Sequence, residues 1–468
     1  MKTSNIIAHP LFRPLVALGV FLLTMHALKT TWFNRGSKPN KEVEGGEDGD
    51  RPRLVVAHFM LGNTYPYTEE DWLGTFDLAQ KTSLDALVLN LGPEEWQFAQ
   101  AQTAYRLLSS SNYRLKLFLS LDMNVLPHDP SSLVEMVTNI VTAGQGSQLR
   151  WGGGIVLSTF GGHTMEEGWK DVIHGVKKEL REEVFFWPSF FIPPHEILAK
   201  EYVDGAFYWN GAWPMGNHTT NLNEDQAFLD SDKPYMAAVS PLFFTHYGTE
   251  GQWAWNKNWI YRSDDLLLPT RFLNFLSLPP SQSPSIVQII SWNDFGESHS
   301  IAPVRGAQPG SEAWTDDMDH EGFRWMVRYF AQRWRDGRTA QVSEEEKATA
   351  IVWYRTQPKD AKGEDSVDRP KNADWSQDLI NFFILLPPSP HKRDTYTLHV
   401  ENGSESHRPI KLKAGQLNLL TVPFVVGSVS FEVRRNEADV ILSGVKKEIT
   451  NGGTWNYNMW SGVFTETQ

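Results

Sequence analysis

The sequence of 468 residues contains no cysteine. Disulfide bridges and thiolate metal sites are therefore excluded, and cysteine usage gives no clue to the compartment. Basic residues are also in the minority, because 43 Lys and Arg stand against 56 Asp and Glu, for a net charge of −13. Nucleic acids and anionic membrane surfaces attract clustered Lys and Arg, so we expect neither as the main partner.

Motifs that bind cofactors or activate a serine nucleophile are absent from the sequence. It contains no phosphate-binding loop, no dinucleotide-binding glycine fingerprint, no paired-histidine zinc helix and no Gly-x-Ser-x-Gly elbow. We therefore expect no cofactor and no bound metal. A metal site built from Asp122, His58 and His163 remains an alternative, although nothing in the sequence fixes the spacing of these ligands.

Aromatic residues, by contrast, are abundant, at 12% of the chain with 19 Trp. A large hydrophobic core would account for most of them. Exposed indoles would instead provide flat apolar surfaces on which carbohydrate can stack.

The N-terminal segment 1–33 resembles a secretory signal, because Lys2 and Arg13 precede an apolar run over residues 15–28. The run is short for a membrane span, and no small-x-small cleavage site follows it. A cleaved signal peptide and an uncleaved signal anchor therefore both remain open. Either one places the rest of the chain outside the cytosol, secreted, in a cell wall or tethered to a membrane.

Residues 34–53 are polar and charged and cannot bury apolar surface, so they predict a disordered linker. Further along, two Asn-x-Ser/Thr tripeptides begin at Asn217 and Asn402. They are compatible with glycosylation during secretory passage, although such tripeptides also arise by chance.

After the linker, eight apolar runs typical of buried strands alternate with helix-like segments. The runs cover residues 54–60, 84–90, 115–122, 154–160, 184–190, 205–209, 234–240 and 286–290. Strand-helix alternation implies parallel strands joined by right-handed crossovers, and eight such units match a (β/α)8 TIM-like barrel over residues 54–345. An open doubly wound sheet is the alternative.

The last part of the chain, residues 346–468, has a different pattern of short strands separated by turn residues. The predicted strands cover residues 350–355, 379–386, 396–400, 417–422, 429–433 and 439–442. This pattern favours a C-terminal antiparallel β-sandwich domain. Such a domain could support the barrel or bind carbohydrate, and its few alternating exposed aromatics favour support.

The most informative stretch is the run at residues 286–290 together with the polar cluster that follows it. The run lacks alternation and is too short for a helix, so it predicts a strand buried on both faces. Asp294 and Glu297 come directly after it, on either side of Gly296, where the chain can turn sharply. Two carboxyls so placed suit acid/base chemistry, although capping or surface ion pairing is the alternative.

Polar residues also follow the other predicted strands. They are His58, Asn63, Asn90, Asp122, Asn124, Ser158, Thr159, His163, Trp209, Asn210, Trp213 and Ser240. Barrel enzymes place their catalytic groups at these strand ends. A cleft that combines carboxylates, amides and indoles is suited to binding and hydrolysing a sugar chain.

Several of these segments together resemble glycoside hydrolase family 71, the fungal α-1,3-glucanases or mutanases. The resemblance rests on Ala57–Gly62, Asp85–Gly92, Phe118–Met123, Val239–Pro241, Ser263–Asp265 and Ser291–His299, and it extends through the C-terminal β domain. It implies a monomeric endo-hydrolase of α-1,3-glucan that inverts the anomeric configuration.

The resemblance also implies roles for individual residues. The family's Asp-x-x-Glu motif falls on Asp294 and Glu297, with Glu297 assigned as acid and Asp294 as base. In an inverting pair the carboxyls stand roughly 6.5–9.5 Å apart. We expect further side chains to bind the substrate, namely His58, Asn90, Asp122, Trp209, Trp292 and His299.

Two features depart from the family pattern. The segment Ser158-Thr-Phe-Gly-Gly162 carries Gly161 where an acidic residue is expected, and the family's usual cysteines are missing. The first departure affects the expected subsite contacts. A second hypothesis therefore stays open, in which the protein is a membrane-tethered glucan-binding protein with little or no turnover.

Overall fold

The computed structural model describes residues 52–337, 342–389 and 391–466. The predicted signal segment 1–33 and almost all of the predicted linker 34–53 lie outside the described residues. Within the described part of the chain, no helix is both long and apolar enough to cross a membrane.

Besides the short antiparallel strand Arg150–Trp151, which pairs with Gly154 and Ile155, the first sheet consists of eight parallel strands. They are β1 (Leu54–Met60), β2 (Ala86–Leu91), β3 (Lys116–Asp122), β4 (Gly154–Phe160), β5 (Glu183–Phe186), β6 (Ala206–Tyr208), β7 (Tyr235–Val239) and β8 (Ile286–Ile289). Their hydrogen-bonded order is β5–β4–β3–β2–β1–β8–β7–β6. The order runs in one direction from β1 to β5 and in the same direction from β6 to β8. A doubly wound sheet reverses direction at a switch point, so this sheet is not doubly wound.

The two ends of this curled sheet are β5 and β6. Three backbone hydrogen bonds join the segments there. Asp204 N–H and Gly205 N–H donate to Phe186 O at 3.0 Å and 3.3 Å, and Phe207 N–H donates to Pro188 O at 3.3 Å. The sequence predicts that β5 continues to residue 190, but the strand ends at Phe186. Pro188 has no N–H to donate, so it cannot extend a regular ladder.

Helices follow most of the parallel strands. They are α1 (Glu69–Lys81), α2 (Glu95–Ser109), α3 (Pro130–Thr142), α4 (Gly168–Leu180), α5 (Pro194–Leu198), α6 (Gln226–Leu229), α7 (Leu267–Leu276), α8 (Glu312–Thr315) and α9 (Glu321–Asp336). Local signals set their starts: Thr68 and Asp71 form a capping box at α1, and Asp129 caps α3 ahead of Pro130.

The strands of this sheet bury both faces, which explains why their sequences lack alternation. In β1, Val55 and Ala57 belong to the core shared with the helices, whereas Val56 belongs to a second cluster on the other face of the sheet. β8 is buried at all four positions between β1 and β7. The predicted buried strand is therefore confirmed.

The C-terminal part contains antiparallel sheets, as predicted. Its main strands are β9 (Thr349–Arg355), β10 (Leu379–Leu386), β11 (Tyr396–Asn402), β12 (Ile410–Leu412), β13 (Gln416–Pro423), β14 (Gly427–Arg435), β15 (Asp439–Ile449) and β16 (Met459–Thr465). One sheet has the order β13–β10–β9–β16, and the other contains β12, β11, β14 and β15. The two sheets share one apolar core. The sequence prediction missed β12 and β16.

The first of these sheets also packs on the parallel part of the structure. Val352 in β9 faces the other antiparallel sheet, whereas its neighbour Trp353 joins the core that contains α9. The Phe383 ring lies 5.2 Å from that of Tyr329 and 5.8 Å from that of Phe330. The sheet is thus buried on both sides, as a supporting role requires.

The two glycosylation tripeptides lie in different environments. Asn402 is fully buried in β11, where its Nδ2 donates to Ser428 O and its Oδ1 accepts from Val425 N–H. A glycan on this buried, hydrogen-bonded amide would disrupt the fold. Asn217 is exposed and accepts a hydrogen bond from Arg262 at 3.1 Å, so it is the accessible tripeptide.

Candidate active site

A cleft of about 530 Å³ lies where the parallel strands end. Its wall is formed by Met60, Gly62, Asn63, Asn90, Gly92, Pro93, Glu94, Gln97, Asp122, Val125, Tyr247, Trp255, Lys257, Asp294, Gly296, Glu297 and Pro309. The ends of β1, β2 and β3 and the segment after β8 all contribute to it. The structure therefore brings the predicted acidic pair into a cleft that it shares with neighbouring strand ends.

Asp294 and Glu297 lie side by side in this cleft. One oxygen of each carboxyl and one nitrogen of His299 lie within 4.8 Å of one another. The Asp294 side chain is 20% exposed and that of Glu297 is 18% exposed. The facing oxygens are closer than the separation of roughly 6.5–9.5 Å that we predicted for an inverting pair.

Hydrogen bonds connect the two acids through Ser291 and His299. The backbone N–H of Asp294 donates to Ser291 Oγ at 2.8 Å, and Ser291 Oγ lies 3.0 Å from His299 Nδ1. His299 Nε2 lies 3.1 Å from Glu297 Oε2. In the neutral imidazole with its proton on Nε2, the serine hydroxyl donates to Nδ1 and Nε2–H donates to the carboxylate. The buried imidazole therefore positions Glu297.

Lys257 is a functional residue that the sequence prediction missed. Its Nζ lies 3.0 Å from Glu297 Oε1, although the two residues are 40 positions apart in the chain. No local motif marks Lys257. Only the loop that carries it, folded over the end of β8, brings the charge to the carboxylate.

The surroundings separate the pKa values of the two acids. Burial and the neighbouring charge of Glu297 raise the pKa of Asp294 above its usual range. Burial alone would also raise the pKa of Glu297, but the His299 hydrogen bond and the Lys257 charge outweigh burial and lower it. Asp294 is thus the acid that holds a proton more readily, and Glu297 is the one that stays ionised.

Position 296, between the two acids, requires glycine because the side chain of Tyr247 leaves no room for a Cβ there. A Cβ at this position would lie 2.2 Å from the hydroxyl oxygen of Tyr247. That hydroxyl donates to Pro309 O at 3.0 Å, so it is held in place. The glycine predicted for a sharp turn therefore also lets Tyr247 approach the catalytic segment.

Two of the six predicted substrate-binding residues, Asn90 and Asp122, form part of the cleft wall. Asn90 Nδ2 donates to Asp122 Oδ2 at 3.3 Å. Burial raises the pKa of Asp122. The pair offers an amide and a carboxyl close to Asp294 and Glu297, as the sequence predicted.

The other four residues, His58, Trp209, Trp292 and His299, lie behind the wall. Their exposed fractions are 2%, 9%, 2% and 0%. His58 accepts a hydrogen bond from Gln288 Nε2 at 3.2 Å, and burial lowers its pKa to about 3. The Trp209 ring packs against His58 at 4.7 Å. These side chains point into the packed interior, so they support the cleft from behind.

The alternative metal site of Asp122, His58 and His163 is not assembled. Within the described ranges, the only group of three suitable ligands is Asp294, Glu297 and His299. The imidazole and carboxylate of that group are already hydrogen-bonded to each other.

The segment that departs from the family pattern forms a glycine turn beside the cleft. Gly161 has φ +74° and Gly162 has φ +93°, both in the left-handed region. A Cβ at Gly161 would lie 3.1 Å from Asn124 Oδ1. Gly161 does not contribute to the described cleft wall.

Comparison with known proteins identifies the family. The sequence is 31% identical over 426 residues to the glucan endo-1,3-alpha-glucosidase agn1 of Schizosaccharomyces pombe, covering 88% of this chain and 94% of that protein. It is 30% identical over 430 residues to a mutanase of Penicillium rubens, covering 88% of each. It is 28% identical over 400 residues to an ascus wall endo-1,3-alpha-glucanase of S. pombe, covering 81% of this chain and 87% of that one. Residues 51–468 match Glycosyl hydrolase family 71, and the chain belongs to this family.

Proposed function

We propose that this protein hydrolyses α-1,3-glucan with Asp294 and Glu297 as its catalytic acid and base. The observation that carries the proposal is the pair of adjacent carboxyls whose pKa values are shifted in opposite directions within one cleft. Membership of family 71 and the names of the relatives specify the substrate class. The substrate is therefore a neutral polysaccharide, which an acidic protein can bind without electrostatic attraction.

The electrostatics favour the reverse of the roles assigned from the sequence. Asp294, with its raised pKa, gives its proton to the glycosidic oxygen as the bond to the anomeric carbon breaks. Glu297, kept ionised by Lys257 and His299, takes a proton from water as the water oxygen bonds to that carbon. Asn90 and Asp122 provide hydrogen bonds to sugar hydroxyls. In this scheme Lys257 and His299 are positioning residues.

The direct test is release of reducing ends from insoluble α-1,3-glucan by the purified protein. The wild type should release them, and an Asp294→Asn variant should release far fewer. If the wild type released no more than this variant, hydrolysis would be ruled out. Retention of the protein on the glucan pellet would then favour the glucan-binding hypothesis. A broad distribution of product lengths at early times is expected for endo action.

Inversion is a prediction that rests on the family resemblance. Facing oxygens within 4.8 Å leave less space for a water between the carboxyls than an inverting pair usually provides. Proton NMR of the first product formed from the α-linked substrate would settle the stereochemistry. A β anomer would support inversion, whereas an α anomer would show retention through a covalent intermediate.

For the architecture, we infer that the curled sheet is a closed (β/α)8 barrel with its seam between β5 and β6. The three backbone hydrogen bonds at that seam support closure. Residues 54–345 would form the barrel domain and 346–468 the supporting β domain. Amide hydrogen exchange provides the test, because Gly205 and Phe207 should be protected. Exchange of both amides at the rate of free peptide would show an open seam.

Outside the described residues, we infer from the sequence that the N-terminal segment directs the chain into the secretory pathway. The protein would be secreted or held at a membrane or cell wall, as a monomer, with any glycan on Asn217 because Asn402 is buried. N-terminal sequencing of the mature protein separates the signal peptide from the anchor. A start at Met1 would exclude cleavage.

A further inference from the structure

A hairpin loop over residues 247–257 forms one rim of the cleft. It extends from a two-stranded ribbon in which Phe244–His246 pairs with Asn258–Ile260. Backbone hydrogen bonds close its base, from Tyr247 N–H to Lys257 O at 2.6 Å and from Asn256 N–H to Gly248 O at 2.9 Å. These hydrogen bonds fix the backbone at the base of the loop, so its side chains have defined positions.

This loop carries two exposed indoles, Trp253 at 36% and Trp255 at 47% exposure. All other tryptophans in the described part of the chain are buried or half-buried. Indole has a large apolar surface, so leaving two of them in water is unfavourable unless something covers them in use. Their rings are 5.4 Å apart at an angle of 64°.

The two indoles begin next to the catalytic pair and extend away from it. Trp255 forms part of the cleft wall, and its ring packs at 4.5 Å against that of Tyr247. Only Asn256 separates Trp255 from Lys257, a span of about 7 Å of extended chain. Lys257 in turn pairs with Glu297. Trp253 lies further along the loop, where Gly310 leaves room for its ring.

We propose that Trp253 and Trp255 form an aromatic shelf that binds glucosyl residues of a long α-1,3-glucan chain beside the point of cleavage. This inference rests on the proposed function and specifies which substrates the site prefers. The C–H faces of pyranose rings are apolar and stack on indole without needing charge. The angle between the two ring planes suits a chain whose successive sugars change orientation better than it suits a flat protein surface.

A second exposed aromatic residue lies close in the chain to the cleft wall. Tyr65 is 64% exposed, and its ring lies 6.1 Å from that of Trp96 in an edge-to-face arrangement. Gly62 and Asn63, close to Tyr65 in the chain, form part of the cleft wall. Tyr65 could therefore add aromatic surface for a long glucan chain.

The experiment measures KM and kcat on α-1,3-linked glucose oligosaccharides of increasing length. The variants are Trp253→Ala, Trp255→Ala and Trp255→Phe, and Val440→Ser is a control on an exposed apolar residue of the β domain. For long chains, Trp255→Ala should raise KM roughly tenfold and leave kcat nearly unchanged, because stacking contributes to binding. Trp255→Phe should recover part of the loss, and Val440→Ser should match the wild type. On the shortest substrate that is cleaved, the rise in KM of the tryptophan variants should be much smaller than on long chains.

If both alanine variants kept the wild-type KM for long chains, the proposed aromatic shelf would be ruled out. An equal rise in KM for long and short chains would also rule it out, because that result would indicate a general distortion of the cleft. A binding assay tests the shelf independently of catalysis. In a protein that carries Asp294→Asn, the further change Trp255→Ala should weaken retention on insoluble α-1,3-glucan. If the wild type bound glucan through the shelf but released no reducing ends, the hydrolytic function alone would fail.

Discussion

Two clusters of the molecule have the same formal charge but different chemistry. In the cleft, Lys257 accompanies the two carboxyls of Asp294 and Glu297. At the junction with the C-terminal sheets, Arg355 accompanies the two carboxyls of Asp264 and Asp378. Each cluster thus contains one fixed cation and two acids. The difference lies in how the cation is shared.

Arg355 contacts both acids of its cluster. Its Nε and Nη2 each lie 3.2 Å from Asp264 Oδ2, and Nη2 also pairs closely with Asp378. Backbone N–H groups of Gln377 and Asp378 donate to Asp264 as well. Arg355 and Asp264 are only 2% and 3% exposed. This cluster is a compensated structural network that ties the barrel segment to the β domain.

Lys257 contacts only Glu297 among the carboxylates of the described ranges. Asp294 is buried next to a charged neighbour and has no direct cationic partner, so burial and the charge of Glu297 raise its pKa. The comparison teaches that two adjacent acids become reactive when a cation pairs with only one of the two carboxyls and the pair borders a cleft. The number of charges does not decide this.

The largest effect is expected from neutralising either acid in the cleft. Asp294→Asn and Glu297→Gln should each lower kcat by about 10²–10⁴-fold, because each removes a proton-transfer group. Asp294→Asn should not lower the melting temperature, since it removes one of two adjacent like charges. Glu297→Gln also loses the contacts with Lys257 and His299, so it should lower the melting temperature slightly. Initial rates on α-1,3-glucan, together with thermal unfolding, test both expectations. Intact hydrolysis in both variants would refute the assigned site.

The opposite pattern is expected for the structural cluster. Arg355→Ala leaves Asp264 buried without its cation and should cost about 3–5 kcal/mol of unfolding free energy. The kcat of the protein that remains folded should stay close to that of the wild type. Denaturant unfolding measures the loss.

The matched control for Arg355→Ala is Arg434→Ala, which breaks a half-exposed ion pair with Glu432. This change should cost only about 0.2–1 kcal/mol. Equal losses in the two variants would show that the Arg355 cluster is not a buried network.

A smaller effect is expected from Lys257→Met, which should change the pH profile. The base Glu297 must be ionised, so activity falls as pH drops through its lowered pKa. The acid Asp294 must be protonated, so activity also falls as pH rises through its raised pKa. Removing the cation raises the pKa of Glu297 and should move the acidic limb about one unit to higher pH.

The control for this shift is Lys177→Met. Lys177 is an exposed lysine on α4, and it pairs with Glu183 on β5. Its profile of kcat/KM against pH should match that of the wild type. An unmoved acidic limb in Lys257→Met would show that Lys257 does not set the ionisation of Glu297.

The smallest effect is expected at the cleft wall. Asp122→Asn keeps the shape of the side chain but changes a charged acceptor into an amide, so KM for glucan should rise about twofold to tenfold. The acid/base pair is unaffected, and kcat should change less than KM. Asp77→Asn on α1, whose carboxyl pairs with Lys81 at the surface, is the control and should change neither constant.

Much of the fold could be predicted because local patterns report burial and turn chemistry. Strands β1 and β4 have the predicted boundaries. The prediction missed strands whose formation depends on contacts with residues far away in the chain. β16, for example, is held by its ladder with β9, about 110 residues earlier in the chain.

The candidate site divides in the same way. The sequence places Asp294 and Glu297 after a buried strand and places Asn90 and Asp122 at neighbouring strand ends, and the structure brings all four to one cleft. The sequence could not show that Trp209 and Trp292 point into the interior, because a shift of one residue at a strand end turns a side chain from outward to inward.

The sequence by itself therefore determined the family, the strand-helix order and the position of the acidic pair, because these depend on residue type and local spacing. Only the tertiary structure decided in which direction the pKa of each acid is shifted and which indoles stay exposed beside the cleft. Both depend on the loop at residues 247–257, which brings Lys257 to Glu297 and leaves Trp253 and Trp255 exposed. A pKa depends on distances to every nearby charge, and those distances exist only in the folded chain.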